Sequence, residues 1–207
     1  MVVDEERVLD TLRDRFGHAS FRPGQEEVVR AVLEGRDALV VLPTGAGKSL
    51  MYQLPAVLMD GITLVVSPLI ALMKDQTDKL DRVGVDALTI NSGLTGGEKR
   101  AAEEAVAAGG GEILYVTPER FRDRTFFEAI LERRVALFVV DEAHCISEWG
   151  HDFRPDYMMM GSIAARLGRP PILALTATAT PDVQGDIITQ LRMKDPIRVT
   201  VDLIRPN

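Results

Sequence analysis

The sequence predicts an α/β fold in which helices flank a doubly wound, mostly parallel sheet. Short, continuous apolar runs recur along the chain, and segments with a helical pattern separate them. Continuous apolar runs indicate strands that are buried on both faces, as in a parallel sheet covered by helices. The regular alternation of the two element types indicates one α/β unit.

Seven apolar runs are predicted to be strands. In chain order they are Ala38–Leu42, Ile62–Val66, Asp86–Ile90, Ile113–Val116, Ala136–Val140, Ile172–Leu175 and Ile197–Val201. Six segments have the apolar spacing of helices. They are Gln25–Leu33, Leu50–Met59, Ala71–Arg82, Glu98–Ala108, Arg120–Glu132 and Pro181–Leu191. The methionine run at 158–160 is expected on a helix, in the core or an interface.

A Ser-Pro or Thr-Pro pair follows three of these strands: Ser67-Pro68, Thr117-Pro118 and Thr180-Pro181. Serine and threonine favour the N-cap, and proline suits the first helical turn. Each pair is therefore predicted to open a helix at the carboxyl edge of the sheet, where α/β folds bind ligands. Because free N–H groups at helix starts favour phosphates, the three pairs together predict a phosphate-binding rim.

The composition excludes several classes of protein. With 207 residues, 46% of them hydrophobic and 27% charged, the chain is expected to bury a sizeable core. No apolar run approaches the ~20 residues of a membrane helix, and no signal peptide is recognisable. Cys145 is the single cysteine, which excludes an internal disulfide and a zinc site of structural spacing. We expect a soluble, single-domain protein of the cytoplasm (or nucleus, in a eukaryote) with no membrane partner.

The charge balance is acidic. The chain has 24 Lys and Arg against 31 Asp and Glu, a formal net charge of −7. A compact nucleic-acid-binding protein is often basic overall. Any contact with nucleic acid is therefore expected to come from a local surface, or from parts outside this chain.

The segment Leu42-Pro-Thr-Gly-Ala-Gly-Lys-Ser49 predicts a nucleotide site. It lies between a predicted strand and a predicted helix, which is the context of a phosphate loop. Leu42 stands where the strict pattern has glycine, so an ordinary glycine turn is the alternative. In a phosphate loop, Lys48 reaches the β- and γ-phosphates and Ser49 binds magnesium. The predicted ATP-binding residues of the loop are Thr44, Gly45, Ala46, Gly47, Lys48 and Ser49.

A second pattern complements the loop. The apolar run 135–140 leads directly into Asp141-Glu142-Ala143-His144. A carboxylate at the end of a buried strand can hold magnesium beside the phosphates, and a neighbouring one can orient and deprotonate water. We assign these roles to Asp141 and Glu142. Together, the two patterns predict a nucleoside triphosphatase that uses Mg²⁺.

Aromatic and basic residues follow these carboxylates. Trp149, His151, Phe153 and Arg154 fall within six positions, in a segment that also carries glycine and aspartate. Aromatic clusters are more often part of a core, but this polar composition is poor for one. Base stacking on such side chains contributes roughly 1–3 kcal/mol per base. The segment therefore offers stacking faces and a phosphate partner to a single-stranded nucleic acid.

Several segments together resemble the RecQ family of ATP-dependent DNA helicases, in superfamily two. Asp141–His144 is the DEAH signature, and the segment 145–157 resembles that family's aromatic-rich loop. The segment 21–25, Phe-Arg-Pro-Gly-Gln, resembles its adenine-recognition motif. Three further segments, 66–76, 117–120 and 174–180, resemble its DNA-facing and coupling motifs. The resemblance runs from about Leu9 to Asn207.

The resemblance implies roles for further residues. Arg22 and Gln25 contact adenine, and His18 occupies the position of the family's stacking aromatic. His144 belongs with Lys48, Asp141 and Glu142 in the catalytic set, and together with Thr176 and Thr178 it would couple the nucleotide state to DNA. The residues that would contact DNA or couple it to the nucleotide are Ser67, Pro68, Thr117, Trp149, His151, Phe153, Arg154, Thr176 and Thr178.

The resemblance also implies a domain organisation. Residues 1–200 correspond to the first RecA-like, ATP-binding lobe, and residues 201–207 to the start of a linker toward a second lobe. Such a motor closes ATP between two lobes, the second of which supplies an arginine to the phosphoryl group. Its partners are single-stranded DNA and duplex junctions, travel is 3′ to 5′, and its setting is repair and recombination. By itself, the chain is expected to bind ATP weakly and to have little activity.

Two alternatives remain at this point. A DEAD-box-like RNA helicase usually has Asp where this chain has His144, and it lacks the aromatic segment. A non-catalytic module that binds nucleotide, DNA or a partner protein is the second alternative. Intact Lys48, Asp141 and Glu142 argue against it.

Overall fold

Seven parallel strands form one sheet in the computed structural model, which describes residues 4–150 and 152–200. The strands are β1 (Ala38–Val41), β2 (Ile62–Val66), β3 (Ala87–Ile90), β4 (Ile113–Val116), β5 (Val135–Val140), β6 (Ile172–Thr176) and β7 (Ile197–Thr200). Their order in the sheet is β3-β4-β2-β5-β6-β1-β7. All seven predicted strands and the parallel α/β class are confirmed. The predicted linker at 201–207 lies outside the described residues.

The apolar runs are continuous because both faces of the sheet are covered. Successive residues of one strand pack into two different cores: Leu64 into one cluster and Val65 into the other. Phe138 and Val139 of β5 divide in the same way. Every residue of β1, β2, β4, β5 and β6 is buried. The rigid centre of the sheet therefore holds the strand ends in fixed positions.

The described residues contain eight α-helices, of which two precede β1 and the other six lie between successive strands. They are α1 (Glu5–Asp14), α2 (Gln25–Leu33), α3 (Leu50–Leu58), α4 (Ile70–Arg82), α5 (Gly96–Ala107), α6 (Arg124–Leu131), α7 (Met160–Arg166) and α8 (Pro181–Gln190). Three short 3-10 helices lie at Pro118–Arg122, Ala143–Ile146 and Pro155–Met159. None of the helices in the described ranges has the length and apolar character needed to cross a membrane.

Some predicted helices have different boundaries. The single helix predicted at Arg120–Glu132 is two elements, because the Asp123 side chain accepts a hydrogen bond from Phe126 N and caps a new helix there. Helices α1 and α7 were not predicted. Met160 is fully buried in α7, whereas Met158 and Met159 belong to the preceding 3-10 helix.

The three Ser-Pro and Thr-Pro pairs behave differently. Thr180 caps α8 as predicted, accepting a hydrogen bond from Val183 N at 3.4 Å. Thr117 precedes only a 3-10 helix and makes no capping bond with its side chain. Helix α4 begins at Ile70, so the prediction that Ser67-Pro68 opens it was wrong. Of the three helix starts predicted to form a phosphate-binding rim, only that of α8 is the start of an α-helix capped by the side chain of its Ser or Thr.

Candidate functional site

The carboxyl ends of four adjacent strands bring the predicted nucleotide residues together. Strands β2, β5, β6 and β1 are neighbours in the sheet. Val66 pairs with Val140 at the ends of β2 and β5, and Val41 pairs with Thr176 at the ends of β1 and β6, two residues beyond the Val140–Ala174 pair. The phosphate loop continues from β1, and Asp141 follows β5. Residues distant in the sequence therefore meet at one edge of the sheet, as expected for an α/β fold.

The phosphate loop has the backbone conformation that its glycines allow. Gly45 and Gly47 have φ values of +83° and +84°, a region that other residues rarely adopt. A Cβ atom on Gly47 would lie 2.6 Å from the Gln25 side-chain nitrogen, whereas one on Gly45 would meet nothing within 4 Å. The Lys48 ammonium donates a 2.8 Å hydrogen bond to the Leu42 carbonyl, which holds its charge over the loop.

One cavity joins the loop to the carboxylates. It has a volume of about 240 Å³, and its lining includes Lys48, Ser49, Asp141 and Glu142. Thr44, Gly45 and Gly47 also line it, whereas Ala46 does not. The lining of this cavity therefore provides the ammonium group of Lys48, the hydroxyl of Ser49 and the carboxylates of Asp141 and Glu142. These are the kinds of group that phosphoryl transfer requires.

The two carboxylates repel each other. Burial, together with the negative charge of Glu142, raises the pKa of Asp141 to about 6. The charge of Lys48 and a 3.4 Å hydrogen bond from the Ser67 hydroxyl act in the opposite direction. A cation bound beside a buried carboxylate stabilises the charged form, which burial alone disfavours. With the Ser49 hydroxyl in the same cavity, this donor set fits magnesium.

Glu142 has an unusual backbone. Its φ of 49° and ψ of 44° are left-handed, a conformation that costs free energy for a residue with a side chain. Such outliers concentrate at functional sites. The turn brings the Glu142 carboxylate to 3.3 Å from His144 Nδ1.

His144 links the DEAH segment to β6. Its Nδ1 lies 2.9 Å from the Thr176 hydroxyl, which donates to the Thr178 carbonyl at 3.0 Å. Both His144 and Thr176 are buried, at 8% and 0% exposed. The three residues that the sequence assigned to coupling therefore form one hydrogen-bonded chain.

A second cavity, of about 130 Å³, adjoins the loop on its other side. Its lining includes His18, Arg22 and Gln25, together with Gly47 and Ser49, which both cavities share. The Gln25 amide is buried, accepting from Arg22 N at 2.8 Å and donating to the Gly47 carbonyl at 3.0 Å. Arg22 also donates to the Gly45 carbonyl at 3.1 Å. Gln25 thus braces the loop, a role that sequence reasoning did not assign.

A third cavity, of about 380 Å³, contains part of the predicted DNA-contacting set. Pro68, Thr117, Phe153 and Arg154 line it together. The Thr117 hydroxyl is buried, and no partner for it is found among the described residues. Ser67 does not line this cavity, because its side chain is buried against Asp141. Ser67, which the resemblance places among the residues that contact DNA or couple it to the nucleotide, contacts the Asp141 carboxylate.

Trp149 stands apart from this cavity. It is 81% exposed, the most exposed of the large hydrophobic side chains in the described ranges. The start of its loop is held by the Ser147 hydroxyl, which accepts from Trp149 N at 3.2 Å and donates to Asp186 at 2.7 Å. Predicted His151 lies outside the described residues. An exposed tryptophan on an anchored loop is suited to stacking on an external ring.

Sequence reasoning assigned no role to three residues near the nucleotide cavity. Tyr52 and Gln76 line it. Tyr157 is buried and donates a 2.9 Å hydrogen bond to the Asp141 carbonyl. Gln76 and Tyr157 lie at the ends of segments 66–76 and 145–157, whose resemblance to family motifs was the available signal for them.

Comparison with known proteins gives consistent similarities. The family model described as DEAD/DEAH box helicase matches residues 22–186. An ATP-dependent DNA helicase RecQ of Haemophilus influenzae is 46% identical over 206 residues, which covers 100% of this chain and 33% of that protein. The probable ATP-dependent DNA helicase RecS of Bacillus subtilis is 43% identical, covering 97% of this chain and 40% of that protein. The chain thus spans about a third of the RecQ protein's length.

Solved structures share the fold at lower identity. A hypothetical ATP-dependent RNA helicase from Sulfolobus tokodaii superposes with a TM-score of 0.72 at 20% identity, covering 96% of this chain and 57% of that one. The DUF1998 helicase MrfA bound to DNA and AMPPNP also gives 0.72, at 19% identity, covering 97% and 29%. At such identities the likeness shows the fold alone.

Proposed function

Because this chain belongs to the DEAD/DEAH box helicase family and its curated relatives are RecQ-type helicases, we propose that it is the ATP-binding lobe of an ATP-dependent DNA helicase. One observation carries the proposal. Lys48, Ser49, Asp141 and Glu142 line a single cavity at the carboxyl edge of the sheet. These groups can bind a triphosphate and activate water for its hydrolysis.

Each side chain has a proposed role in that cavity. Lys48 binds the phosphates, replacing its present bond to the Leu42 carbonyl. Ser49 and Asp141 would hold Mg²⁺, which supplies positive charge to the transferring phosphoryl group. Glu142 orients the attacking water and accepts its proton. His144 passes the state of this site to Thr176 and Thr178 through the hydrogen bonds described above.

The base of ATP is proposed to occupy the 130 Å³ cavity. His18 lines that cavity and offers a flat face for stacking. Arg22 and Gln25 lie beside it, although the Gln25 amide already bonds to Arg22 N and Gly47 O. Gln25 retains one N–H for a base, because an amide nitrogen has two donors. A base bound to Gln25 would therefore contact the same side chain that hydrogen-bonds to the phosphate loop at Gly47.

DNA is proposed to bind along the 380 Å³ cavity and the exposed Trp149 loop. Phe153 and Arg154 offer a stacking face and a phosphate partner beside Thr117. His151 belongs to the proposed set from its motif alone. Single strands and duplex junctions are the proposed substrates, with 3′-to-5′ travel and a role in repair or recombination. The proposed location of the protein is the cytoplasm, or the nucleus in a eukaryote.

Residues 1–200 are proposed to act as one of two lobes. A second RecA-like lobe, joined through the segment 201–207, would complete the ATP site with an arginine. We therefore expect the 207-residue chain to hydrolyse ATP slowly. Steady-state hydrolysis with Mg²⁺, with and without single-stranded DNA, measures this. Turnover strongly stimulated by DNA, or efficient unwinding, would show that the lobe is sufficient by itself.

Nucleotide binding tests the site itself. Lys48→Ala should weaken Mg²⁺-dependent binding of a fluorescent ATP analogue on the order of tenfold or more, since a charge-assisted hydrogen bond contributes roughly 1.5–3 kcal/mol. Lys79→Ala is the matched control, because Lys79 pairs with Asp75 on the exposed face of α4. Thermal unfolding establishes that both variants fold. Equal affinity of Lys48→Ala and wild type would reject the phosphate-loop assignment.

Competition separates DNA from RNA. Single strands of matched sequence and length are mixed with the chain and a labelled DNA strand. The proposal predicts that DNA displaces the label at lower concentration than RNA does. Preferential displacement by RNA would favour the DEAD-box-like alternative instead.

A further inference from the structure

Three different metal-binding side chains meet beside the DEAH segment. The ligand atoms of His144, Cys145 and Asp152 all lie within 4.8 Å of one another. The Cys145 sulfur is 3.8 Å from His144 Nε2 and 3.7 Å from Asp152 Oδ2. The three residues are distinct from the proposed magnesium ligands Ser49 and Asp141. Nothing in the proposed ATP chemistry uses the thiol.

These separations match a tetrahedral site. With metal–sulfur bonds near 2.3 Å and metal–nitrogen or metal–oxygen bonds near 2.1 Å, neighbouring ligands of a tetrahedral zinc ion lie about 3.6 Å apart. The two measured distances exceed this by only 0.1–0.2 Å. Two of the three ligand pairs therefore have the spacing of one tetrahedral ion, and the third pair, His144 and Asp152, lies within 4.8 Å.

The histidine is prepared to act as a ligand. Its Nδ1 lies 3.3 Å from the Glu142 carboxylate and 2.9 Å from the Thr176 hydroxyl. A carboxylate only accepts hydrogen bonds, so it favours the tautomer with the proton on Nδ1. The lone pair is then on Nε2, the atom nearest to the Cys145 sulfur. Metal-binding histidines typically donate their other N–H to a carboxylate in this way.

The site has an entrance and a competitor. Cys145 is fully buried, whereas the Asp152 side chain is 48% exposed, so an ion reaches the cluster past Asp152. Arg154 Nη2 lies 3.3 Å from the same Asp152 oxygen and places a positive charge near the cluster. The cation must therefore bind strongly enough to compete with that charge and to replace the thiol proton, which passes to solvent.

The geometry points to a second metal site, for a soft divalent cation such as Zn²⁺, formed by His144, Cys145 and Asp152 with one position left to solvent. Thiolate and imidazole ligands select Zn²⁺ over Mg²⁺, which prefers oxygen. A bound ion would fix His144, the residue proposed to couple nucleotide and DNA, to the loop that carries Trp149. This regulatory consequence rests on the proposed function, whereas the metal site does not.

Cobalt(II) is the probe, because a thiolate ligand gives it a near-ultraviolet charge-transfer band and four-coordination gives it intense visible bands. The 207-residue chain is titrated with Co²⁺ in a reductant without thiols, and Zn²⁺ is then added. We expect one equivalent of Co²⁺ to give both sets of bands, Zn²⁺ to abolish them, and excess Mg²⁺ to leave them unchanged. Absence of the bands in the folded chain would overturn the proposal.

Variants identify the ligands. Asp152→Asn should weaken binding on the order of tenfold or more. Asp156→Asn is the matched control from the same segment, since Asp156 pairs with Arg122 instead. Arg154→Gln should tighten binding several-fold by removing the competing charge, an effect that misfolding does not produce. Unchanged affinity in Asp152→Asn would show that the thiol binds the ion without this cluster, and would reject the site.

Discussion

The Tyr157 hydroxyl donates a 2.9 Å hydrogen bond to the backbone carbonyl of Asp141. Tyr157 is fully buried at the end of the aromatic segment, and Asp141 begins the DEAH segment. The two segments implicated in DNA contact and ATP hydrolysis are therefore joined directly at the backbone. A shift of the 3-10 helix Pro155–Met159 would therefore displace or break the hydrogen bond to the backbone of Asp141, the proposed magnesium ligand.

Removing this hydroxyl tests the connection. Tyr157→Phe should lower the free energy of unfolding by about 1 kcal/mol, because it leaves a buried carbonyl without its donor. Tyr52→Phe should cost less, because its partner Tyr115 also has a hydrogen bond with Gln53. Urea denaturation of both variants measures the difference. Equal stability of Tyr157→Phe and wild type would mean that the bond contributes nothing.

The two glycines of the phosphate loop separate backbone strain from steric overlap. Gly45→Ala and Gly47→Ala carry the same strain, because the φ values of both glycines are near +83°. Only Gly47→Ala also places a Cβ atom against the Gln25 amide, at 2.6 Å. We expect Gly45→Ala to destabilise by roughly 1 kcal/mol and Gly47→Ala by about 1–3 kcal/mol more. Thermal unfolding measures the loss of stability in each variant. Equal losses would show that the Gln25 side chain moves away from the new methyl group at no cost in free energy.

Asp141 should reduce stability at neutral pH when no cation is bound. Its pKa is raised from 3.8 to about 6, so the folded protein binds this proton more tightly than the unfolded chain does. Unfolding free energy then increases as the pH falls from about 6 toward 4. Asp141→Asn should stabilise the chain at pH 7.5 by on the order of 1–3 kcal/mol, and this gain should shrink below pH 6.

Chemical denaturation at several pH values, in a metal chelator, measures the gain of Asp141→Asn. Ser67→Ala is a useful comparison, because it removes the hydroxyl that donates to the same carboxylate and should destabilise at pH 7.5. A gain in Asp141→Asn that is independent of pH would contradict the assignment of the raised pKa to this residue.

Asp123 should show the opposite pH dependence. Hydrogen bonds from the Lys99 ammonium and Phe126 N, with the nearby charge of Arg120, lower its pKa from 3.8 to about 2. Its stabilising effect is therefore complete above about pH 4 and is lost as the pH falls toward 2. Asp123→Asn should be less stable than wild type at pH 7, with the difference declining below pH 4. Asp75→Asn, in an exposed pair with Lys79, is the control and should show little effect.

Local patterns were sufficient to predict the strands and the edge of the sheet where the candidate nucleotide residues meet. Runs such as Val135–Val140 are apolar because both faces are covered, and this local signal needs no knowledge of distant partners. Helix α1 was missed, although Asp4 caps it and Val8 and Leu12 are buried along it. Most residues of this helix are charged or polar, and its apolar stripe contains too few residues to indicate a helix from the pattern.

The contacts that set the chemistry of the site were not predictable. The Ser67–Asp141 and Gln25–Gly47 hydrogen bonds join residues 74 and 22 positions apart. The resemblance placed Ser67 among the residues that contact DNA or couple it to the nucleotide, and Gln25 at adenine. It did not predict these two bonds, because a motif gives a residue's neighbourhood but not the atom that its side chain contacts. The proposed cluster of His144, Cys145 and Asp152 was not predicted either, because the number of cysteines and histidines says nothing about which carboxylate lies beside them.

The position of β1 has a consequence for synthesis of the protein. This strand carries the phosphate loop near the start of the chain, yet its two neighbours in the sheet are β6 and β7. Its backbone therefore finds partners only after residues 172–176 and 197–200 have left the ribosome. Pairing across such separations is slow. During translation, the phosphate loop is therefore synthesised well before the two strands that pair with the strand carrying it.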